Sequence, residues 1–137
     1  MLTKEAFHAA LGSGPWLLDG ATGSYLRKMG MPNGVATEEW VLRNPEVLVG
    51  LQRGYAEAGS RIVYAPTFQA QPIALKKIGL DKHCEAINSQ LIALSRSAAP
   101  GCLVAGDIAT LAAFCDSWDP ANFDLMVENY RRQIRGL

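Results

Sequence analysis

The sequence predicts an α/β fold in which a parallel sheet is covered by helices. Three observations carry this. First, three short, largely apolar stretches read as strands: Trp16-Leu17-Leu18, Arg61-Ile62-Val63-Tyr64-Ala65 and Cys102-Leu103-Val104-Ala105-Gly106. Second, the stretches between them place apolar residues three and four apart, the period of an amphipathic helix. Third, the connections are long enough for right-handed crossovers, as parallel strands require. Composition agrees. The chain has 137 residues, 49% of them hydrophobic, which suits one domain with a real core.

The elements follow in order. Thr3 is placed to cap a helix over Lys4–Leu11, stopped by Gly12 and Gly14. Trp16-Leu17-Leu18 runs as a strand into the turn Asp19-Gly20. Ala21–Met29 reads as a turn or two of helix ended by Gly30, and Met31–Glu38, with Pro32, Asn33 and Gly34, reads as a loop. Asn44-Pro45 is a helix start, with Asn at the cap and Pro at the first helical position. Val47, Leu48, Leu51, Tyr55 and Ala58 form its buried stripe, and Gly59 closes it. The second strand ends in Pro66-Thr67-Phe68. Gln71–Ile78 is a short helix closed by Gly79. His83–Ala98 is a longer one with Ile87, Leu91 and Leu94 on one face, broken by Pro100-Gly101. After the third strand and Asp107, a last helix spans Pro120–Ile134, with Phe123, Val127, Tyr130 and Ile134 expected on its buried side.

Two architectures fit this order: an open doubly wound sheet, or part of a (β/α)₈ barrel. Three strands are few for either, and a barrel usually takes about 250 residues. A three-stranded parallel sheet would leave two open edges. The element count therefore points to a piece of something larger.

Charge narrows the function classes. Thirteen basic side chains balance thirteen acidic ones. That argues against a nucleic-acid partner and against an anionic membrane surface. No run of apolar residues is long enough to span a bilayer. The start Met1-Leu2-Thr3-Lys4-Glu5 lacks the apolar core of a secretory signal, so a cytoplasmic location is expected. Cys84, Cys102 and Cys115 are widely spaced, with no C-x-x-C, and read as reduced thiols. Trp16, Trp40 and Trp118 read as core or rim packing, and Arg131, Arg132 and Arg135 as a solvated helix face.

In parallel α/β folds the reactive groups gather at the carboxyl ends of the strands. Here those ends deliver Asp19 and Gly20, then Thr67 and Phe68, then Asp107. In Asp19-Gly20-Ala21-Thr22-Gly23, two glycines three apart let the chain turn sharply and let a ligand come close. Asp19 could hold an ammonium group, or simply cap the following helix. Thr67 and Phe68 could orient a small polar ligand with an apolar arm, or close a turn. Asp107 is a second anchor or a cap. His83-Cys84 is a poor nucleophile pair, because adjacent helical residues point about 100° apart.

These residues resemble a family. Leu17-Leu18-Asp19-Gly20-Ala21-Thr22-Gly23-Ser24 is similar to the opening L-D-G-[GA]-x-G-[ST] of homocysteine S-methyltransferases. The Asn44-Pro45 helix leading to Tyr55-Ala56-Glu57-Ala58-Gly59-Ser60, then Ile62-Val63 and Thr67-Phe68, is similar to that family's next run. The resemblance is strong from Trp16 to about Leu80 and looser beyond.

The resemblance implies a (β/α)₈ barrel, with residues 1–137 as the N-terminal part of one domain: about three βα units plus a leading helix. It implies methyl transfer to the homocysteine thiol, giving methionine. Asp19 would contact the amino group, Gly20 and Gly23 would form the turn beside the amino-acid end, and Thr67 and Phe68 would lie beside the substrate. Asp107 departs from the family's usual Gly-Pro at the end of strand three. The family binds zinc, which holds the substrate thiol as thiolate, through cysteines on late strands. Cys84, Cys102 and Cys115 do not match those positions. The chain by itself is thus expected to hold no metal and to be inactive. The methyl donor is left open, cobalamin- and folate-linked donors included. Open strand edges are expected to favour self-association, or association with a chain that completes the barrel. Two other readings fit the residues: a non-catalytic α/β module that binds a small molecule or a partner, and a phosphate-binding domain built on Gly20–Gly23.

Overall fold

The computed structural model describes residues 3–12 and 14–137. Helix α1 (Lys4–Leu11) begins as expected, with the Thr3 hydroxyl accepting the Ala6 N–H at 3.1 Å. Phe7 meets Trp16 edge to face, and the Arg61 guanidinium lies 5.3 Å from the centre of the Trp16 ring system. The leading helix is thereby tied to the start of the sheet.

Among the described residues two strands form, β1 (Ile62–Ala65) and β2 (Leu103–Gly106), paired in parallel with Ile62 opposite Leu103 and Ala65 opposite Gly106. The third expected strand is reduced to a single parallel bridge between Leu18 and Ile62. Around it the Arg61 N–H reaches Leu17 O at 2.8 Å and the Asp19 N–H reaches Ile62 O at 3.0 Å. The Ile62 N–H also reaches Leu17 O, at 3.4 Å, and the next N–H of β1 facing the first segment belongs to Tyr64. Instead of a backbone carbonyl it meets the Asp19 carboxylate, at 3.0 Å. A side chain ends the ladder where a longer strand would have continued it. The spatial order still follows the chain order: first segment, β1, β2.

Helices cover this short sheet. They are α2 (Thr22–Lys28), α3 (Thr37–Arg43), α4 (Pro45–Glu57), α5 (Pro72–Leu75), α6 (Cys84–Ala98) and α7 (Phe123–Gly136). Short 3₁₀ turns lie at Lys76–Ile78, Asp81–His83 and Pro120–Asn122. Leu26, Met31, Val41, Leu48, Leu75 and Leu91 form the centre of the core, so α2 to α6 all contribute to it. Gly59 and Gly79 follow their helical segments at φ of 103° and 73°, where a Cβ would be strained.

Several expectations need correction. Residues 31–38 are not loop throughout, because α3 starts at Thr37 and buries Glu38 and Val41. Asn44 does not cap α4 with its side chain; its amide donates to Trp40 O at 2.9 Å and closes α3 instead. The expected buried face of α7 is largely turned outward. Phe123 is 61% and Ile134 58% exposed, whereas Asn129, Gln133 and Gly136 are buried. The reason is what α7 packs against. The Asn129 side-chain oxygen accepts the Ile73 N–H at 2.8 Å, and the Gln133 amide donates to Thr67 O at 2.7 Å. Tyr130 alone of the expected set makes specific polar contacts, accepting the Leu111 N–H and donating to Ala109 O. Arg132 is not simply solvated either, since it forms a two-pronged pair with Glu85 on α6, both contacts at 2.7 Å. Trp118 is 92% exposed and packs on neither core nor rim.

Candidate functional site

The carboxyl ends of the first segment, β1 and β2 open onto one cleft of about 880 Å³. Asp19, Gly20 and Gly23 line it from the first turn, Tyr64 and Phe68 from β1 and its end, and Asp107 from the end of β2. The residues singled out after the strands are therefore neighbours in space. Thr67 is the exception, as it does not line the cleft.

Asp19 is the central group. Its Oδ2 accepts the Tyr64 N–H, while its Oδ1 is buried and has no partner. Burial pushes the carboxyl above its ordinary value; the Tyr64 N–H pulls it down and the nearby Asp107 charge pushes it up. A buried carboxylate oxygen with no donor is costly unless something supplies one. A cationic ligand entering the cleft would do so.

The two glycines do different things. A Cβ on Gly20 would lie 2.7 Å from the Tyr55 hydroxyl oxygen, so any larger residue there would have to displace the Tyr55 ring from the turn. A Cβ on Gly23 would meet nothing within 4 Å. Of the two, only Gly23 leaves open space.

Thr67 works as a fastener. Its hydroxyl donates to Asp107 O at 2.9 Å and lies 2.8 Å from the Asp107 N–H, which donates to it. It ties the end of β1 to the end of β2. Phe68, one residue on, is 50% exposed and faces the cleft.

Sequence reasoning missed three charged residues of the lining: Arg27, Glu38 and Lys77. Glu38 is only 3% exposed, and its Oε1 accepts the Gln69 N–H at 2.8 Å. Burial pushes its carboxyl above the ordinary value. The signal was present, because Thr37-Glu38-Glu39 is an acidic first helical turn of the kind that favours a helix N-terminus. The Lys77 ammonium sits over the Phe114 ring, 4.3 Å from its centre. The cleft thus offers carboxylates for an ammonium, and cations for a carboxylate. That pairing suits a free amino acid.

The cysteines stand apart from this site. Cys84 is buried, donates to Ala70 O, and is pushed up to about 11 by burial, which makes it a poor nucleophile. Cys102 bonds Ser60 O and Cys115 bonds Leu111 O. Among the described residues no three His, Cys, Asp or Glu side chains converge as metal ligands would. The same residues contain no helix long and apolar enough to cross a membrane.

Comparison with known proteins places this geometry. Two crystal structures of the homocysteine methyltransferase MmuM from Escherichia coli share the fold. The metallated form is 24% identical with a TM-score of 0.79, over 96% of this chain and 52% of its own. The oxidized form is 23% identical with a TM-score of 0.78, over 94% of this chain and 51% of its own. The chain therefore spans about half the length of these structures. No curated protein sequence matches it. The homocysteine S-methyltransferase family model matches residues 16–137, well past the Trp16–Leu80 region of strongest resemblance, and the chain belongs to that family.

Proposed function

We propose that this chain is the N-terminal part of a homocysteine-binding (β/α)₈ barrel, and that its cleft takes the amino-acid end of homocysteine. The observation that carries this is the buried, unpartnered Oδ1 of Asp19 at the mouth shared by three strand ends. An α-ammonium group would donate to that oxygen. The carboxylate of the ligand would face Arg27 and Lys77, the cations of the same lining. Gly20 shapes the turn by admitting Tyr55, and Gly23 leaves room above it. Thr67 fixes the ends of β1 and β2, and Phe68 offers an apolar wall to the sulfur-bearing arm.

In the intact protein the homocysteine sulfur, having lost its proton, would form a bond to the methyl carbon as the donor–methyl bond breaks with its electron pair kept by the demethylated donor, giving methionine. A zinc ion would favour the thiolate by stabilising the negative sulfur. The residues of this chain do not fit that ion. Each cysteine is committed to a different backbone carbonyl, and no ligand cluster forms among the described residues. No step is therefore assigned to these thiols. The chain's own share is binding and orientation, and methyl transfer by this chain alone is not expected.

A second reading, association with a chain that completes the sheet, is favoured by exposed apolar side chains. Leu17, Leu18 and Tyr64 on the sheet are all exposed. A solution mass above 14.8 kDa would support it.

The cleft reading is tested by titrating the chain with reduced homocysteine and following backbone amide shifts. Saturable shifts at Gly20, Gly23 and Tyr64 are expected. Asp19→Asn should weaken binding by about tenfold or more, as expected when a charge-assisted hydrogen bond is lost. Equal affinity in the variant would remove Asp19 from the site.

A further inference from the structure

Phe68 is held from both sides. On one side, the Thr67 hydroxyl is fastened to the Asp107 backbone, and Thr67 O receives the Gln133 amide at 2.7 Å. Phe68 O itself accepts the Ala109 N–H at 2.9 Å. On the other side, the Gln69 N–H is held by Glu38. Glu38 comes from α3, lines the same cleft as Asp107, and is buried. Burying a carboxylate is costly, and a surface glutamate or an apolar residue would serve α3 better as a helix. What the burial provides is an acceptor for a loop N–H beside the one aromatic ring that lines the cleft from that loop.

We propose that Glu38 is a positioning residue that sets the Phe68 wall and thereby the preference for a ligand with an apolar arm. The proposal rests on the reading of the cleft as a homocysteine site. It requires Glu38 as a hydrogen-bond acceptor, not as a charge. Glu38→Gln keeps an acceptor oxygen and removes the charge. Glu38→Met keeps the volume and removes the acceptor. Thr67→Val removes the fastener on the other side with little change of shape.

The test compares homocysteine with L-alanine, which has the same ammonium and carboxylate but no arm. Both are titrated into the full chain and its variants by amide shifts. Glu38→Met should weaken homocysteine by about tenfold, the usual size of a lost apolar pocket contact, and leave alanine within about twofold. Glu38→Gln should restore homocysteine to near the wild-type affinity. Thr67→Val should act in the direction of Glu38→Met, and it carries the test if Glu38→Met fails to fold. Equal loss of both ligands in Glu38→Gln would mean that Glu38 acts by its charge, and would overturn the proposal. So would an unchanged preference in both Glu38→Met and Thr67→Val. If the wild-type chain binds homocysteine and Asp19→Asn does not, while preference is unmoved in these variants, the positioning role fails and the site reading stands. If the wild type binds neither ligand, both fall.

Discussion

Helices α6 and α7 pack against each other, yet α6 hides mainly apolar residues and α7 mainly polar ones. On α6 the hidden face is mostly apolar, with Ile87, Leu91 and Ile92 over the sheet and core, and its buried Asn88 donates to Ala70 O in the segment after β1. On α7 the hidden residues are Asn129, Gln133 and Gly136, while Phe123, Leu125 and Ile134 are exposed. The difference lies in what each helix covers. Strands have already paired their backbone groups, so a helix over them needs only apolar contact. The segments at residues 67–73 have carbonyl and N–H groups left over, and a helix over them must answer with polar side chains. Gly136 completes the fit, because a Cβ there would lie 2.6 Å from Glu85 O.

This contrast can be broken by substitution. The largest effect is expected at Leu91, which is fully buried in the core. Leu91→Ala should cost about 2–5 kcal/mol in urea unfolding, through lost burial and a residual cavity. A smaller loss is expected at Gln133. Gln133→Met keeps the volume but removes the amide donor from Thr67 O, which retains the Ala70 N–H, and should cost about 1 kcal/mol. A neutral result there would mean that α7 is held by shape and not by polar contact. The smallest effect is expected at Ile134. On an ordinary apolar helix face Ile134→Ser would be severe, but here it should stay within about 0.5 kcal/mol in the isolated chain. A loss well above that would show the outward face to be covered in solution.

The same contrast explains what was legible beforehand. The Thr3 cap, the stripe of α4 apart from the exposed Ala58, the apolar face of α6 and the strands β1 and β2 depend on neighbours in sequence and on apolar period, and these can be read directly. Helix α3 was hidden because Thr37–Arg43 is only seven residues long, too short to display a period, and follows a Pro-Asn-Gly loop. The apolar period of α7 is real, but which face is buried was decided by backbone groups dozens of residues away, Thr67 O and the Ile73 N–H. The cleft was legible in part for the same reason. Asp19, Phe68 and Asp107 sit at strand ends, where position alone suggests a role. Glu38 reaches the cleft from a helix whose acidic first turn could be read, but it is the bond to Gln69 that joins it to the cleft.

The short first strand also belongs to this account. Asp19 accepts the Tyr64 N–H where the ladder would have gone on, so one carboxylate ends a strand and faces the cleft at once. A site group bought at the expense of sheet pairing is a local conflict of the kind expected where function outweighs regularity.

The most direct measurement compares homocysteine with N-acetylhomocysteine, which differs at the nitrogen and carries no ammonium. Each is titrated into the wild-type chain while the amide shifts of Gly20, Gly23 and Tyr64 are followed. If Asp19 reads the ammonium, homocysteine shifts these amides to saturation and the acetylated form leaves them in place. Equal shifts and equal affinity for the two would contradict the assignment of Asp19, and with it the amino-acid reading of the cleft.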